Sequence, residues 1–420
     1  MIESVHSLSP LAYQWFADSP LRTSADAYLR YLHERGYAVR TIKGYFNGIA
    51  HFAHWLKAQE ADLTDINNAL LKRFMDEHLQ VCRCAPRCRR TRYEIRAALE
   101  HLLIVLRAKG HCIQAGSVPV SAPVAAELER FDRHLEEVRG LAPSTRSTRL
   151  RCLRDFLIHC FGSAPVHLKA LEAADVIRFI NHYTVDWVPA SIRVVTLSLR
   201  SYFRFRASQG EHTSALIAAL PQVAQWRLAT LPPVLSSIEI EQLLSAFDRQ
   251  HATGKRDYAI ARCLLDLGLR RTEVARLCLD DVDWRTGTLT IRSKGKRIDV
   301  MPLPGSTGHA IAQYLLDGRP TTTRRELFAR HRPPVNAPAG PDIVRNAIRY
   351  AAKRCGLEHR IRGTHIFRHT LAGRLVQGGA RFKEIADLLR HRHLDTTTIY
   401  AKVDLKALTQ VALPWPGRLL

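Results

Sequence analysis

Long apolar segments and acidic residues are both scarce in this sequence. Apolar runs such as 102–106 fall far short of the ~20 residues that a membrane-spanning helix requires. Residues 1–20 contain neither the basic n-region nor the apolar h-region of a secretory signal peptide. The nine cysteines, an odd number in 420 residues, do not suggest a disulfide framework and fit a reducing compartment. We therefore expect a cytoplasmic protein that makes no membrane contact.

Basic residues are abundant where acidic residues are scarce. The chain has 62 lysines and arginines against 39 aspartates and glutamates, which gives a formal net charge of +23. Such an excess indicates a polyanionic partner, since each contact between a basic side chain and a phosphate releases condensed counterions. Two segments concentrate arginine, with Arg83, Arg87, Arg89, Arg90, Arg92 and Arg96 in the first and Arg146, Arg149, Arg151 and Arg154 in the second. A solvated surface is the alternative for either cluster alone, but the charge of the whole chain favours double-stranded DNA as the partner.

Chain length and proline positions indicate several domains. A chain of 420 residues exceeds one ordinary hydrophobic core. Two stretches, 113–123 and 220–235, contain prolines and have the composition of linkers. We predict helical domains at 1–115 and 122–215, a further domain at 231–412 and a tail at 413–420. The first two domains resemble each other in sequence pattern, with Phe52 opposite Phe156, which suggests a tandem duplication.

The predicted domain at 231–412 is mostly helical with one small sheet. Ser236 and Glu239 form a capping-box pattern at the start of a helix. Strands at 288–291 and 298–300 flank a short basic turn and predict an antiparallel hairpin. Helices are expected at about 236–247, 257–267, 341–354, 365–376 and 383–389. A further helical segment is expected after 268–270 and should run to Leu277. The predicted fold class is therefore mainly α, with two tandem helical domains followed by a mixed α/β domain that holds a small antiparallel sheet.

Six polar residues of this domain suit one reaction, the attack on a phosphodiester. They are two arginines, a lysine, two histidines and a tyrosine, namely Arg270, Lys294, His365, Arg368, His391 and Tyr400. Two permanently charged guanidiniums can hold one phosphate from two sides. A tyrosine hydroxyl can attack phosphorus once its proton is withdrawn, and a lysine on a hairpin turn can protonate the leaving deoxyribose oxygen. Lys296 and Arg297 lie close enough in sequence to be alternative proton donors.

The order and spacing of these residues resemble the catalytic domain of tyrosine recombinases, the phage-integrase and Xer-type family. The family's first arginine lies in a Gly-Leu-Arg-x-x-Glu context that is matched at 268–273, and its hairpin lysine is matched at 293–295. Its His-x-x-Arg motif is matched at 365–368. Its Leu-Gly-His segment corresponds to 389–391, and Tyr400 follows as the family's tyrosine does. Five separated motifs in the family's order make the resemblance specific.

The resemblance implies a role for each residue. Arg270 and Arg368 would hold the scissile phosphate, and His391 would add a hydrogen bond. His365 would assist proton movement, and Lys294 would protonate the departing 5′ oxygen. Tyr400 would form a 3′-phosphotyrosine, so that no cofactor, ATP or divalent metal is expected. The region 122–215 would be the family's core-binding domain, a helical module that closes over DNA.

The implied function is site-specific recombination or integration of DNA for a mobile element. Two duplexes with four cleavage points imply a homotetramer, or a tetramer with related recombinases. Leu405, Leu408 and Val411 have helical spacing and either dock onto a neighbouring protomer or cap their own domain. Two alternatives are topoisomerase-like relaxation of DNA and a non-catalytic DNA-binding subunit, although the intact residue set argues against the second.

Arg390 departs from the resemblance. It replaces the glycine that the family keeps before the histidine, so it either contacts DNA or marks a turn that is built differently. Glu273, one helical turn beyond Arg270, is expected to orient that arginine.

A second group of residues suggests a metal. His78, Cys82, Cys84 and Cys88 offer four soft ligands, as a structural zinc site does. The Cys-x-Cys spacing is tighter than the common zinc knuckle, however, and buried free thiols are common. We therefore expect no metal from the sequence alone.

Overall fold

The computed structural model describes residues 9–84, 91–111, 120–223, 231–293, 297–391 and 397–403. The chain forms two compact units, one made of 1–113 together with 228–420 and the other of 114–227. Both units consist mainly of helices. None of the helices in the described ranges combines the length and the apolar composition needed to cross a bilayer.

The N-terminal part of the first unit is a helical bundle. Its helices are α1 (Pro10–Ala17), α2 (Ala25–Glu34), α3 (Val39–Ala58), α4 (Asn68–Arg73), α5 (Leu79–Val81) and α6 (Arg92–Ala108), with 3₁₀ turns at Pro20–Ser24 and Leu63–Asp65. Helix α3 lies at the centre because apolar residues recur along one face, where Phe46, Ile49 and Phe52 are fully buried in the core shared with α6. A π-helical turn, Phe74–His78, joins α4 to α5, so that these segments form one continuous helix.

The second unit has its own helical core. Its helices are α7 (Ala122–Arg133), α8 (Pro143–Phe161), α9 (Ala173–Tyr183), α10 (Pro189–Ala207) and α11 (Ser214–Ala218), with a π-helical turn at His134–Val138 and a 3₁₀ turn at Leu168–Ala170. Glu127 is fully buried, and its carboxylate accepts hydrogen bonds from Tyr202 at 2.7 Å and Arg206 at 2.6 Å. Both donors satisfy a charge that would otherwise be costly to bury. Arg146 of the second arginine cluster forms a bidentate pair with Asp132 at 2.7 Å, so this arginine is engaged within its own unit.

The two helical regions share an order of elements. A long helix (α3 or α8) is followed by a 3₁₀ turn, a further helical segment and a second long helix (α6 or α10). This order agrees with the tandem duplication that the sequence suggests.

The remaining part of the first unit carries the predicted hairpin. Its helices are α12 (Ser237–Ser245), α13 (Ala252–Leu267), α14 (Arg271–Arg276), α15 (Gly305–Asp317), α16 (Pro341–Arg354), α17 (His365–Gln377) and α18 (Phe382–Leu388), with 3₁₀ turns at Leu279–Asp281 and Thr398–Val403. Its strands are β1 (Val282–Asp283), β2 (Thr288–Arg292) and β3 (Ile298–Pro302), in the antiparallel order β1-β2-β3. Thr288 lies opposite Pro302, and Arg292 lies opposite Ile298 at the end of the hairpin. Helix α13 runs through the core, where Ile260 and Leu264 are fully buried.

The predicted fold class is confirmed: the chain is mainly helical with one small antiparallel sheet in the described residues. The Ser236 capping box forms as predicted, with the Ser236 hydroxyl accepting from the Glu239 N–H and the Glu239 carboxylate accepting from the Ser236 N–H. Helix α13 begins at Ala252, earlier than predicted. The prediction missed its first turn because Gly254 and the charged residues that follow it have the composition of a loop. Strand β1 and helix α15 were not predicted; two residues are too few to show an alternating pattern.

Candidate active site

Arg368 anchors the site from within the core. It lies on the first turn of α17 and is only 3% exposed. Its Nη1 donates to the carbonyl oxygen of Gly268 at 2.7 Å, and its Nη2 donates to the carbonyl oxygen of Leu389. A guanidinium has five N–H donors, so the two contacts leave donors available for a phosphate. Arg368 thus ties together the ends of α13 and α18 while presenting a permanent charge.

Gly268 makes this arrangement sterically possible. It ends α13 in the left-handed conformation, with φ of +57°, which a residue with a Cβ adopts only at a cost. A Cβ on this glycine would also lie 2.8 Å from Cδ2 of Leu389 and 3.0 Å from Cδ2 of Leu371. The chain therefore turns sharply here, and Arg270 follows two residues later at the start of α14.

Glu273 orients Arg270, as the sequence predicted. The backbone N–H of Arg270 donates to Oε2 of Glu273 at 2.8 Å, and its Nη1 donates to Oε1 at 2.8 Å. The carboxylate is almost fully buried whereas the Arg270 side chain is 36% exposed. Ser293 also donates its hydroxyl to Oε1 of Glu273, at 3.2 Å. One carboxylate thus connects the first arginine to the end of strand β2.

Lys294 lies outside the described residues, as do its sequence alternative Lys296 and the tail residues Leu405, Leu408 and Val411. The residues on either side of the lysine turn are held together, because the backbone N–H of Ser293 donates to the carbonyl oxygen of Arg297 at 2.8 Å. Since Ser293 contacts Glu273, the turn begins next to the carboxylate that holds Arg270.

The structure shows how the turn before His391 accommodates Arg390 in place of a glycine. It adopts φ of +55°, the left-handed conformation for which a glycine is suited. Its side chain is 5% exposed and turns inward, where Nη2 pairs with Oε2 of Glu273 at 3.1 Å and Nη1 donates to the carbonyl oxygen of Leu388 at 3.0 Å. Arg390 therefore adopts the backbone conformation of a glycine turn, and its charge pairs with Glu273 inside the protein. The buried side chain does not fit a DNA contact, which is one of the two alternatives that the sequence leaves open.

The charges around Glu273 leave a positive surplus. Arg270 and Arg390 both pair with this single carboxylate. Burial, with the charges of Arg270 and Arg390 as the next causes, lowers the pKa of Arg368 to about 9. The three guanidiniums therefore repel one another around one negative charge. Such a site is electrostatically prepared for a bound anion, because an anion would relieve that repulsion.

Tyr400 is buried against α17. Its side chain is 1% exposed, and its hydroxyl lies 2.9 Å from Nδ1 of His369. Burial raises the pKa of the phenol, whereas the charge of Arg368 lowers it. Burial, together with His365 and Arg368, lowers the pKa of His369 to about 4, so the imidazole is neutral near pH 7. In the tautomer that is protonated at Nε2, Nδ1 accepts the phenol hydrogen bond.

His369 is the site residue that sequence reasoning missed. The sequence feature that could have identified His369 is its position, one helical turn after His365 and directly after Arg368 on the same helix. The rings of His365 and His369 lie 6.2 Å apart, and those of His369 and Tyr400 lie 5.7 Å apart. These three side chains therefore form a row along α17.

His391 and His365 complete the group. Nδ1 of His391 lies 2.7 Å from the buried hydroxyl of Thr397. Burial lowers the pKa of His391 to about 4, with Arg368 and Arg270 as the next causes. Burial also lowers the pKa of His365, again followed by Arg368 and Arg270. The structure thus brings five of the six candidate residues into one electrostatically coupled region, and the sixth is Lys294.

Comparisons with known proteins identify the family of this chain. Residues 233–406 match the model of the phage integrase family, and residues 128–210 match that of the phage integrase N-terminal SAM-like domain. The putative integrase/recombinase y4rA of Sinorhizobium fredii is 36% identical over 401 residues, which cover 95% of this chain and 96% of that protein. Tyrosine recombinase XerD of Listeria innocua is 30% identical over 289 residues, or 66% of this chain and 93% of XerD.

A solved structure shows the same fold. The XerH site-specific recombinase bound to a palindromic difH substrate in a post-cleavage complex superposes with a TM-score of 0.55 at 19% identity, over 67% of this chain and 83% of that one. The extent of the match to y4rA, together with the two family models, decides the assignment. This chain belongs to the phage integrase family of tyrosine recombinases.

Proposed function

We propose that this protein is a site-specific DNA recombinase or integrase that cuts and rejoins double-stranded DNA through a 3′-phosphotyrosine on Tyr400. The observation that carries the proposal is the burial of Tyr400 beside Arg368 and His369, next to guanidiniums that share one carboxylate. A phosphodiester carries the single negative charge that this surplus would accept. Phosphoryl transfer asks a protein mainly for such positioning and neutralisation of charge.

Arg270 and Arg368 hold the scissile phosphate in this proposal. Arg270 is the more exposed of the two and is fixed at both its backbone and its guanidinium by Glu273. Arg368 retains N–H donors beyond those used for Gly268 and Leu389. Planar, permanently charged guanidiniums suit the non-bridging oxygens of a phosphate. His391 adds a hydrogen bond from the ring nitrogen that does not face Thr397.

The phenol proton of Tyr400 leaves toward the histidines. Burial raises the pKa of the hydroxyl, so the oxygen keeps its proton at neutral pH and requires a base at the moment of attack. His369 is neutral and already in hydrogen-bond contact, and His365 lies next in the row. When the tyrosine oxygen bonds to phosphorus, the bond to the 5′ oxygen breaks, and Lys294 supplies the proton to that oxygen. Since Tyr400 is 1% exposed, a phosphate reaches it only after Thr398–Val403 shifts.

The retained phosphotyrosine bond makes the reaction reversible without ATP. The 5′ hydroxyl of a partner strand attacks phosphorus, releases Tyr400 and rejoins the DNA. Two duplexes cut at four positions require four copies of Tyr400, so we infer a tetramer on DNA. The near full-length similarity to a protein named integrase/recombinase supports integration, excision or transposition for a mobile element. The region 122–215 serves as the core-binding domain, which agrees with the SAM-like family match at 128–210.

Covalent trapping tests the proposal. Full-length protein is incubated with a randomised pool of nicked duplexes, on which cleavage releases a short fragment and strands the covalent intermediate. Wild-type protein should retain DNA through denaturing wash, and sequencing the retained DNA should return one site. Tyr400→Phe should retain none, while Tyr350→Phe, which changes an exposed tyrosine on α16, should behave as wild type.

Other outcomes would contradict specific parts of the proposal. No adduct from wild-type protein would support a non-catalytic DNA-binding subunit. An undiminished adduct with Tyr400→Phe would assign the nucleophile to another residue. Adducts spread over unrelated sequences, together with relaxation of any supercoiled plasmid, would favour topoisomerase-like activity.

A further inference from the structure

Four metal-binding side chains meet in the N-terminal helical bundle, far in sequence from the recombinase motifs. They are His51, His78, Cys82 and Cys84, and one nitrogen or sulfur atom from each lies within 4.8 Å of all the others. In the parts of the chain that the structure describes, this is the one group of histidine, cysteine and acidic residues with such geometry. The sequence pointed to three of these residues but supplied Cys88 as the fourth. The structure supplies His51 from α3 instead, and Cys88 lies outside the described residues.

Three of the six distances between the candidate ligand atoms match the edges of a zinc tetrahedron. Zinc bonds of about 2.3 Å to sulfur and about 2.05 Å to nitrogen place two nitrogens about 3.3 Å apart and a nitrogen and a sulfur about 3.6 Å apart. Nε2 of His51 lies 3.1 Å from Nε2 of His78 and 3.3 Å from Sγ of Cys82. Nε2 of His78 lies 3.7 Å from Sγ of Cys84. Each separation falls within about 0.3 Å of the tetrahedral value.

Hydrogen bonding alone accounts for this cluster less well. Nε2 of His51 faces both His78 and Cys82, and Nε2 of His78 faces both His51 and Cys84. An imidazole nitrogen has either one lone pair or one proton, so it cannot serve two strong partners at once. A single cation between the four atoms would satisfy every one of them with one lone pair each.

The surrounding fold holds the two imidazoles in place. His51 lies on α3 with no exposed surface, and His78 ends the π-helical turn that interrupts the helix from α4 to α5. Turns of this kind occur often at functional sites. The ring of Phe74 stacks on His78 at 5.4 Å and meets the edge of His51 at 5.3 Å. These aromatic contacts fix the orientation of both imidazole rings, as the shell around a structural metal does.

We propose that His51, His78, Cys82 and Cys84 bind one structural Zn²⁺ ion. Two thiolates and two neutral imidazoles in a closed tetrahedron are the donor set that selects zinc for a structural role. Two thiolates also balance the charge of the cation, so the half-buried site is neutral overall. The ion would cross-link α3 to the chain at Cys82 and Cys84, which flank Arg83 at the start of the arginine-rich segment.

Metal content of the full-length protein tests the site. Protein purified under reducing conditions, with any polyhistidine tag removed, should contain one zinc ion per chain by mass spectrometry of the digested sample. X-ray absorption at the zinc edge should show two sulfur and two nitrogen neighbours. Cys84→Ser and His51→Asn should each lose the zinc. Cys88→Ser and His54→Asn are matched controls and should keep it, since His54 lies on α3 one turn beyond His51 and stacks on Trp15.

If a variant fails to fold, metal binding by the wild-type protein still decides the question. Zinc removed by a chelator should be replaceable by Co²⁺, which should give the absorption of a tetrahedral thiolate complex. Folded wild-type protein that carries no zinc and takes up neither Zn²⁺ nor Co²⁺ would overturn the proposal. Loss of zinc in Cys88→Ser with retention in His51→Asn would overturn this ligand set. All of these readings are independent of recombination, so they stand apart from the test of Tyr400.

Discussion

Replacing Arg390 tests how the turn after α18 accommodates an arginine at a left-handed position. Two opposing effects are expected from Arg390→Gly. Loss of a buried ion-pair partner costs about 3–5 kcal/mol. In Arg390→Gly, Glu273 still accepts hydrogen bonds from the guanidinium and the backbone N–H of Arg270, which reduces the loss to about 2–3 kcal/mol. Relief of the left-handed strain returns about 1 kcal/mol. The net destabilisation of Arg390→Gly should therefore be about 1–2 kcal/mol.

Arg390→Ala separates the two effects, because alanine removes the ion pair and keeps the strained φ. It should cost about 2–3 kcal/mol, or about 1 kcal/mol more than Arg390→Gly. Since the chain has several hydrophobic cores, the measurement should report on this region alone. Hydrogen exchange at buried amides of α13 and α17, read by mass spectrometry in increasing urea, gives that local unfolding free energy.

Arg374→Ala is the control, since Arg374 is an exposed arginine on α17, and it should change stability by no more than about 0.5 kcal/mol. Equal losses for the alanine and glycine variants would refute the strain argument. Losses as small as that of Arg374→Ala in both would refute the ion-pair argument.

Three further predictions use the same site. Gly268→Ala should destabilise the region by about 3 kcal/mol and Gly287→Ala by about 1 kcal/mol. Both glycines have a left-handed φ, but only Gly268 of the two has atoms within 4 Å of the added Cβ. Equal losses of stability in the hydrogen-exchange measurement would show that crowding is unimportant. His369→Gln should slow covalent adduct formation about 100-fold by removing the proton acceptor of Tyr400, while His309→Gln on α15 should not; an unchanged rate would exclude His369 from the proton path. Stability should fall as the pH drops from about 6.5 to about 4, because burial holds the pKa of His369 and His391 at about 4 while these groups bind protons near pH 6.5 when unfolded. In urea titrations, His391→Asn should weaken the pH dependence of the unfolding free energy, whereas His359→Asn, at an exposed position, should leave it unchanged. A steeper loss of stability with falling pH in His391→Asn would contradict the role assigned to His391.

Local signals made much of the fold predictable. The Ser236 capping box, the basic hairpin and the helix Pro341–Arg354 each follow from residues that lie close together in the chain. The order of the motifs likewise predicted which residues would converge, because a shared reaction requires their proximity. Strand β1 escaped prediction because its pairing with β2, and not its own two residues, creates it.

The parts of the site that depend on distant partners were not predictable. Arg390 was recognised as unusual, yet its ion pair with Glu273 joins residues far apart in sequence. The proposed zinc ligand His51 is one of 20 histidines, and nothing near it in sequence suggests a metal. His369 was within reach, since it follows the His-x-x-Arg motif directly, but a motif read as four residues ends one position too early.

The two carbonyl contacts of Arg368 have a practical consequence for making inactive protein. The guanidinium joins Gly268 at the end of α13 to Leu389 after α18, so a substitution there disturbs the fold as well as the chemistry. Loss of activity in an Arg368 variant therefore does not separate a missing phosphate contact from a displaced helix. Tyr400→Phe removes one oxygen and keeps the buried ring, which makes it the better choice for a catalytically dead protein that must still assemble on DNA.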